Sequence, residues 1–255
     1  MAGFLMAMGR AGGGEERDEA GITWTVGGSP IGYHNAVVAC ATASEQRARQ
    51  LVEDWHGELV RRRLPGSWHL SPSMRPASLP DLLAAAGFED GGDEPAMAAD
   101  LTADLDVDPP PASTADRFTA ARVTDLDALD AYRDVLACGF GEGPKEADWV
   151  ASVYRTIGLG DDVPWRHYLG RVDDEPVATT SLFLTPGVAG IYFVCTTPGA
   201  RRRGIGTAIA RHAMLEARAL GAGTAILGSS PMGHAVYARL GFRDVFSYRL
   251  FEWEP

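Results

Sequence analysis

Three consecutive arginines, Arg201, Arg202 and Arg203, run into Gly204 and Gly206 in the stretch PGARRRGIGTAIARHA (198–213), inside a chain of formal net charge −11. Ile205, Ile209, Ala213, Ala217 and Leu220 follow at helical spacing, so the glycines stand at a helix entrance. Glu216 intrudes on that apolar face and His212 sits at its edge. A helix N-terminus leaves backbone N–H groups unpaired at the positive end of its dipole, and glycine lets a ligand approach them closely. That chemistry suits a phosphate or pyrophosphate. Neither common nucleotide loop is present: no G-K-[ST] follows, and G-x-G-x-x-G is absent. The bland alternative is a solvated helix entrance. A second run, Arg61–Arg63, reads more simply as charge complementing a helix C-terminus.

The composition bounds the remaining possibilities. A chain of 255 residues has room for one large domain or two small ones, and 45% hydrophobic with 22% charged residues is ordinary for a globular protein. No apolar run reaches about 18 residues, which argues against a membrane span. The opening MAGFLMAMGR lacks a preceding basic region and is too short in its apolar part for a signal peptide. Cys40, Cys138 and Cys195 are widely spaced and odd in number, unlike a disulfide framework or a metal site. These features point to a cytoplasmic protein without a metal. The acidic balance argues against nucleic acid, whose binding rests on neutralising phosphates.

The elements that must position the arginine–glycine corner follow from a break near the middle of the chain. Residues 91–116, GGDEPAMAADLTADLDVDPPPASTAD, are rich in Asp, Ala and Pro and read as a linker. They divide the chain into 1–112 and 113–255. In the first part GITWTV, HNAVVACAT and SWHLS read as strands, and Thr42 with Glu45 makes a T-x-x-E capping box. The helix after it places Ala48, Leu51, Val52, Trp55 and Leu59 on one face, and LPDLLAAAGF is a short helix. In the second part RFTAARV is a strand, Thr124 caps a helix to about Cys138, and CGFGEGPKEADW is a loop leading into another helix. WRHYLGRV, VATTSLFLT and IYFVCTT form successive antiparallel strands. The corner and its helix come next, then strand TAILGS, helix HAVYARL, and GFRDVFSYRLFEW as a final strand pair. The fold class expected is α+β with a mixed, mostly antiparallel sheet. DLLAAAGFED and AVYARLGFRD align on a helix ending in Gly-Phe, which reads either as two ordinary helix stops or as a tandem duplication.

The spacing Arg201-x-x-Gly204-x-Gly206 between a strand and a helix, with VYARLGF about thirty residues later, resembles the acyl-coenzyme A motif of the GNAT N-acetyltransferases. The strand order of 118–253 is similar to that family's fold, and the first half looks like the degenerate leading domain of two-domain bacterial relatives. The resemblance implies an acyl-coenzyme A-dependent N-acyltransferase, with acetyl-coenzyme A as donor and a small-molecule amine as acceptor. The backbone of Val194, Cys195 and Thr196 would pair with the pantetheine amides as though the cofactor were an added strand. The amides of Arg202, Arg203, Gly204, Ile205, Gly206 and Thr207 would cradle the pyrophosphate, with arginine side chains nearby, Arg201 among them. The family's Y-x-x-x-G-F places a tyrosine beside the thioester sulfur, here Tyr237, as proton donor to the departing thiolate.

Some positions depart from the family's pattern. Ser229 and Ser230 stand where many relatives carry Asn, and IYFVCT has no carboxylate to serve as a base. Glu142 and His167 are the candidates for that role. Cys195 reads as a small strand residue, or otherwise as an acyl-carrying nucleophile. In the first half Leu83 occupies the place of Tyr237 and no R-x-x-G-x-G occurs, so a duplicate site there would be dead. Two other functions stay open: a non-catalytic acyl-coenzyme A- or partner-binding protein, and an acyltransferase whose donor is an acyl carrier protein met by the arginines. A homodimer is a further possibility.

Overall fold

The order strand, helix, parallel strand, helix, strand occurs twice in the computed structural model, which describes residues 1–19, 21–103 and 117–255. Two units result: Met1–Pro95 with Phe246–Pro255, and Ala96–Val245.

Unit 1 contains α1 (Ala2–Ala11), β1 (Glu15–Glu19), β2 (Ile22–Val26), β3 (Ala36–Cys40), α2 (Glu45–Arg62), β4 (Gly66–Leu70) and α3 (Leu79–Ala85). The start of β5 (Glu89–Asp100) and the end of β11 (Arg243–Trp253) complete it. β1 and β2, β2 and β3, and β4 and β11 pair antiparallel, the last through Arg249–Trp253, while β3 and β4 run parallel. The helical spacing of α2 has its expected result: Ala48, Leu51, Val52, Trp55 and Leu59 are buried with Trp24, Trp68 and Phe251. Each such large apolar side chain contributes about 1.5–3 kcal/mol on burial. The apolar start of the chain is a helix, with Phe4, Leu5 and Met8 buried along one face. Strand β1, EERDE, is wholly exposed, and its charges discourage another strand from pairing there. The capping box at Thr42 and Glu45 does not form. Ser44 is the cap, its Oγ accepting from the Arg47 N–H at 3.2 Å, while Thr42 Oγ1 accepts from the Ser44 N–H at 3.3 Å. The chain is still extended at Ser44, which places that serine, not Thr42, against the first free amides.

Unit 2 contains the rest of β5, then β6 (Phe118–Arg122), α4 (Leu126–Gly139), α5 (Pro144–Ile157), β7 (Trp165–Val172), β8 (Glu175–Thr185) and β9 (Val188–Thr196). α6 (Ile205–Ala219), β10 (Thr224–Gly228) and α7 (His234–Arg239) follow, with the start of β11. Its strand order is β5-β10-β9-β8-β7-β6, and only β9 and β10 run parallel. Ile205, Ile209, Ala213 and Ala217 of α6 are buried with Met97, Leu101, Tyr168, Ile191 and Leu227. The helix stops at Ala219, so Leu220 falls outside the apolar face and is exposed. Glu216 is accommodated by a hydrogen bond from the Tyr168 hydroxyl at 3.1 Å, and the His212 ring packs edge-on to Tyr168. Asp125, one residue after the expected Thr124, caps α4 by accepting from the Ala128 N–H at 2.8 Å.

Two expectations give way to longer strands. Residues 91–100 lie in β5, where Ala96–Asp100 pair with β10 and bury Met97 and Ala99. Their small and apolar side chains alternate as a half-buried strand requires. The DPPPAS run lies outside the described residues. GFRDVFSYRLFEW forms one strand instead of two, because nothing between Arg243 and Trp253 supplies a turn.

The two halves end their short helices alike. Gly87 and Gly241 take φ of +89° and +91°, and the Phe88 and Phe242 amides donate to Leu83 and Tyr237 at 3.0 and 3.1 Å. Both phenylalanines are buried. Each stop opens a long strand, β5 or β11, whose far end belongs to the other unit. The Gly-Phe echo is therefore a structural repeat, β3-α2-β4-α3-β5 against β9-α6-β10-α7-β11.

Candidate functional site

The corner at 198–207 follows a strand whose pairing fails on one side. β9 pairs with β10 only through Val188, Ala189 and Gly190, although β9 runs on to Thr196 and β10 to Gly228. Beyond Gly190, no strand among the described residues pairs with β9 on that side. A bulge accompanies the parting. Thr179 faces Cys195 and Ser181 faces Tyr192, so Phe193 and Val194 together stand opposite Thr180. Phe193 takes φ +51°, and its carbonyl accepts from the buried Thr179 Oγ1 at 2.9 Å. Such a bulge bends its strand and ends regular pairing. The resulting opening leaves the backbone of Val194, Cys195 and Thr196 along its edge.

The chain then turns through Pro198–Ala200 into α6. Gly204 sits at the cap with φ +79°, a conformation other residues adopt only with strain. No side chain caps α6 and no acid lies in its first turn, so the first amides keep their hydrogen-bonding capacity. At Gly206 an added Cβ would meet only Thr196 Oγ1, at an unstrained 3.5 Å. Among the described residues, nothing in the packing requires glycine there. The arginines divide in two ways. Arg201 turns inward, donating from Nε to Thr196 O at 3.1 Å and from Nη2 to Gly139 O at 2.9 Å, which ties the end of β9 to the end of α4. Arg202 and Arg203 are exposed. Sequence spacing could not separate the structural arginine from its neighbours.

The equivalent corner of unit 1 has been closed. β3 and β4 also part after two pairs, Ala36 with Ser67 and Val37 with Trp68. There the chain itself fills the opening: the Arg75 N–H donates to Cys40 O at 2.9 Å, and the Thr42 N–H donates to Arg75 O at 3.4 Å. The helix beyond, α2, is capped by Ser44 and carries Glu45 in its first turn. A capped, acid-bearing helix start is a poor anion site.

Tyr237 is buried in the core of unit 2 with Ile205 and Leu240, and its ring packs edge-on to Phe242. Among the described residues its hydroxyl has no hydrogen-bond partner. Burial pushes its pKa up to about 12, so the phenol stays protonated at neutral pH. The preceding loop is held by its serines: Ser230 Oγ accepts from the Gly233 N–H at 3.2 Å, and the buried Ser229 hydroxyl donates to Ser230 O at 3.0 Å.

The other candidate residues separate clearly. Cys195 is buried against Val135 O and its thiol is pushed up to about 12 by burial, which removes it as a nucleophile and leaves a packing role. His167 is 1% exposed, and burial first, then Arg122 and Arg166, lowers its pKa to about 3. It stacks on Tyr154 at 3.7 Å and meets Ser181 Oγ through Nδ1 at 2.8 Å. Tyr132 and Tyr154 reach the same oxygen at 2.8 and 3.2 Å, which fills the hydroxyl's one donor and two acceptor positions. An imidazole so sealed and so weakly basic is a structural member of this network. Glu142 is exposed, and its N–H donates to Glu146 Oε2 at 3.1 Å. Glu146, a buried carboxylate in the first turn of α5, was not singled out by sequence, because one acid at a helix start looks like ordinary dipole matching.

Residues 129–242 match the profile of the acetyltransferase (GNAT) family. No curated protein matches the chain in sequence. Solved structures match its fold at low identity. A GCN5-related N-acetyltransferase from Kribbella flavida superposes with TM-score 0.73 at 17% identity, covering 98% of this chain and 94% of its own. A functionally unknown conserved protein from Staphylococcus epidermidis gives 0.70 at 15% identity over 94% of both chains. A tandem GNAT protein from the clavulanic acid biosynthesis pathway gives 0.60 at 16% identity, covering 94% of this chain and 78% of its own.

Proposed function

Residues 129–242 form a GNAT acetyltransferase domain, and from that premise we propose that the protein is an N-acyltransferase using acetyl-coenzyme A, with a small-molecule amine as acceptor. One contrast carries the reading: the β9–α6 corner is open and uncapped, while its counterpart in unit 1 is plugged by Arg75 and capped by Ser44.

The residues present fit the donor. The edge of Val194, Cys195 and Thr196 offers backbone groups to the amides of an extended pantetheine arm. The uncapped amides of Ile205, Gly206 and Thr207, with Arg202 and Arg203 exposed beside them, suit a pyrophosphate. Arg201 supports the corner from behind. When bound, acetyl-coenzyme A supplies an acyl carbonyl activated as a thioester. Backbone N–H groups near the bulge are the available donors for negative charge developing on that carbonyl oxygen. Tyr237 holds a proton at its hydroxyl for the sulfur as the carbon–sulfur bond breaks. With a pKa near 12 the phenol is a weaker acid than a thiol at about 8.5, so its contribution is a hydrogen bond to the departing thiolate more than early proton transfer. The attacking amine must arrive neutral, and Glu146 joins Glu142 as a carboxylate near the end of α4 that could receive its proton.

The test is coenzyme A release from acetyl-coenzyme A over a panel of small amines, run beside calorimetry of donor binding. Binding with turnover on an amine is the expected result. Binding without turnover on any amine, thiol or peptide would make the protein a sensor, and no binding at millimolar donor would overturn the reading.

A further inference from the structure

The face of the unit 1 sheet opposite the α2 core carries a polar cluster that acyl transfer in unit 2 does not use. Trp68 and Leu70 of β4 point into the core, so the alternating residues Ser67 and His69 point the other way. His69 is 1% exposed; its Nε2 lies 3.0 Å from Ser67 Oγ, and its Nδ1 has no hydrogen-bond partner among the described residues. The Tyr33 ring lies 4.4 Å and the Tyr248 ring 6.3 Å from the His69 ring. The Tyr33 hydroxyl lies 3.5 Å from Glu94 Oε1 and equally near the Met1 sulfur. Glu94 is half-buried, and among the described residues no arginine, lysine or histidine pairs with it; nor does the Met1 amino group, which lies on the same side near His69.

The cluster has a consistent electrostatic character. Burial raises the Glu94 carboxyl above its usual range, with only the Tyr33 hydroxyl opposing. Burial, then Glu94, raises the Tyr248 phenol. Burial first, then the charges of His34 and the Met1 amino group, lowers His69 to about 3, so the His69 ring itself adds no positive charge at neutral pH. A half-buried carboxylate without a cation is poorly stabilised, and aromatic faces attract a desolvated positive charge. An anion would be repelled by Glu94, and a neutral ligand would leave it uncompensated.

We propose that this cluster is a binding site for a small organic cation, an amine or quaternary ammonium compound, held by Glu94 and the rings of Tyr33 and Tyr248. The site stands on unit 1 alone and does not depend on the acyl-transfer reading.

The experiment titrates the full-length protein with putrescine and with tetramethylammonium, using 1,4-butanediol as the uncharged control, and follows heat together with the imidazole resonances of His69 and His167. Saturable binding of at least one cation, with movement of the His69 signal and not that of His167, is expected. Glu94→Gln should weaken that binding by tenfold or more with the fold unchanged by circular dichroism. Tyr248→Leu should also weaken it and serves as the second probe if Glu94→Gln misfolds. No saturable binding of either cation, equal binding of the diol, a His69 signal that stays still, or undiminished binding in a folded variant would each overturn the proposal.

Discussion

Tyr237 shows what a single residue must supply here and how that can be measured. Its ring is core, packed against Phe242, while its hydroxyl has no hydrogen-bond partner among the described residues. Tyr237→Phe keeps the packing and deletes only the donor. If the hydroxyl serves the leaving thiolate, turnover should fall by roughly 10²-fold, the scale of a lost general-acid contact. Donor affinity and melting temperature should stay close to wild type, since no hydrogen bond among the described residues is broken. Steady-state kinetics beside calorimetry on the two proteins decides it, and equal kcat values would return Tyr237 to the core. Residue roles were unevenly legible in the sequence. The spacing from Arg201 to Gly206 located the corner, yet it gave all three arginines one role, and only the carbonyls of Thr196 and Gly139 separate Arg201 from the others. His167 read as a possible base because sequence does not reveal the Tyr132, Tyr154 and Ser181 hydroxyls that enclose it.

At the scale of elements, the decisive feature is a strand that parts from its neighbour and a helix that begins without a cap. Apolar periodicity found α2 and α6, because burial of one helix face writes itself into the sequence, while β7, β8 and β9 read as successive strand-like stretches joined by short turns and prove buried along most of their length. The bulge at Phe193 was not legible, since Thr179, which pins it, is remote in sequence and looks like any strand threonine. The plug at Arg75 was hidden for the same reason: it is a backbone pairing, and backbone carries no sequence signal. Gly204 and Gly206 make different tests of the corner. A side chain at Gly204 would strain a positive φ and disturb the loop itself. Gly206→Val is the cleaner probe, as its Cβ meets no protein atom closer than 3.5 Å. The variant should fold, with a small loss from the lower helix propensity of a β-branched residue. Donor affinity should fall by at least tenfold if the pyrophosphate lies against this turn. Unchanged affinity by calorimetry in the folded variant would make the turn a solvated helix entrance after all.

At the scale of the whole molecule, the chain's two halves and its two structural units are not the same residues. The Asp- and Pro-rich composition from 91 onward marks a break, but β5 continues through it to Asp100, and β11 ends in unit 1. Composition could not report this, because a strand of Ala and Met between acidic stretches resembles a linker. The difference decides which fragment should carry the acyl-donor site. A fragment of 113–255 lacks Ala96–Asp100, the antiparallel partner of β10, and removes Met97, Ala99 and Leu101 from the core around α6. Losing Met97 and Leu101 alone forfeits burial worth about 1.5–3 kcal/mol each, a large share of a domain's stability. The same fragment keeps Phe246–Pro255 with no unit 1 sheet to receive them, leaving Phe251 and Trp253 exposed. A fragment of 96–245 has neither defect. It should express as a folded monomer or simple oligomer and bind acetyl-coenzyme A with nearly full-length affinity, while 113–255 should melt well below it or aggregate. Thermal unfolding with and without acetyl-coenzyme A compares the two directly. A shorter fragment as stable as the longer one would mean that β5 is dispensable to unit 2, and loss of binding in a folded 96–245 would place part of the donor site in unit 1.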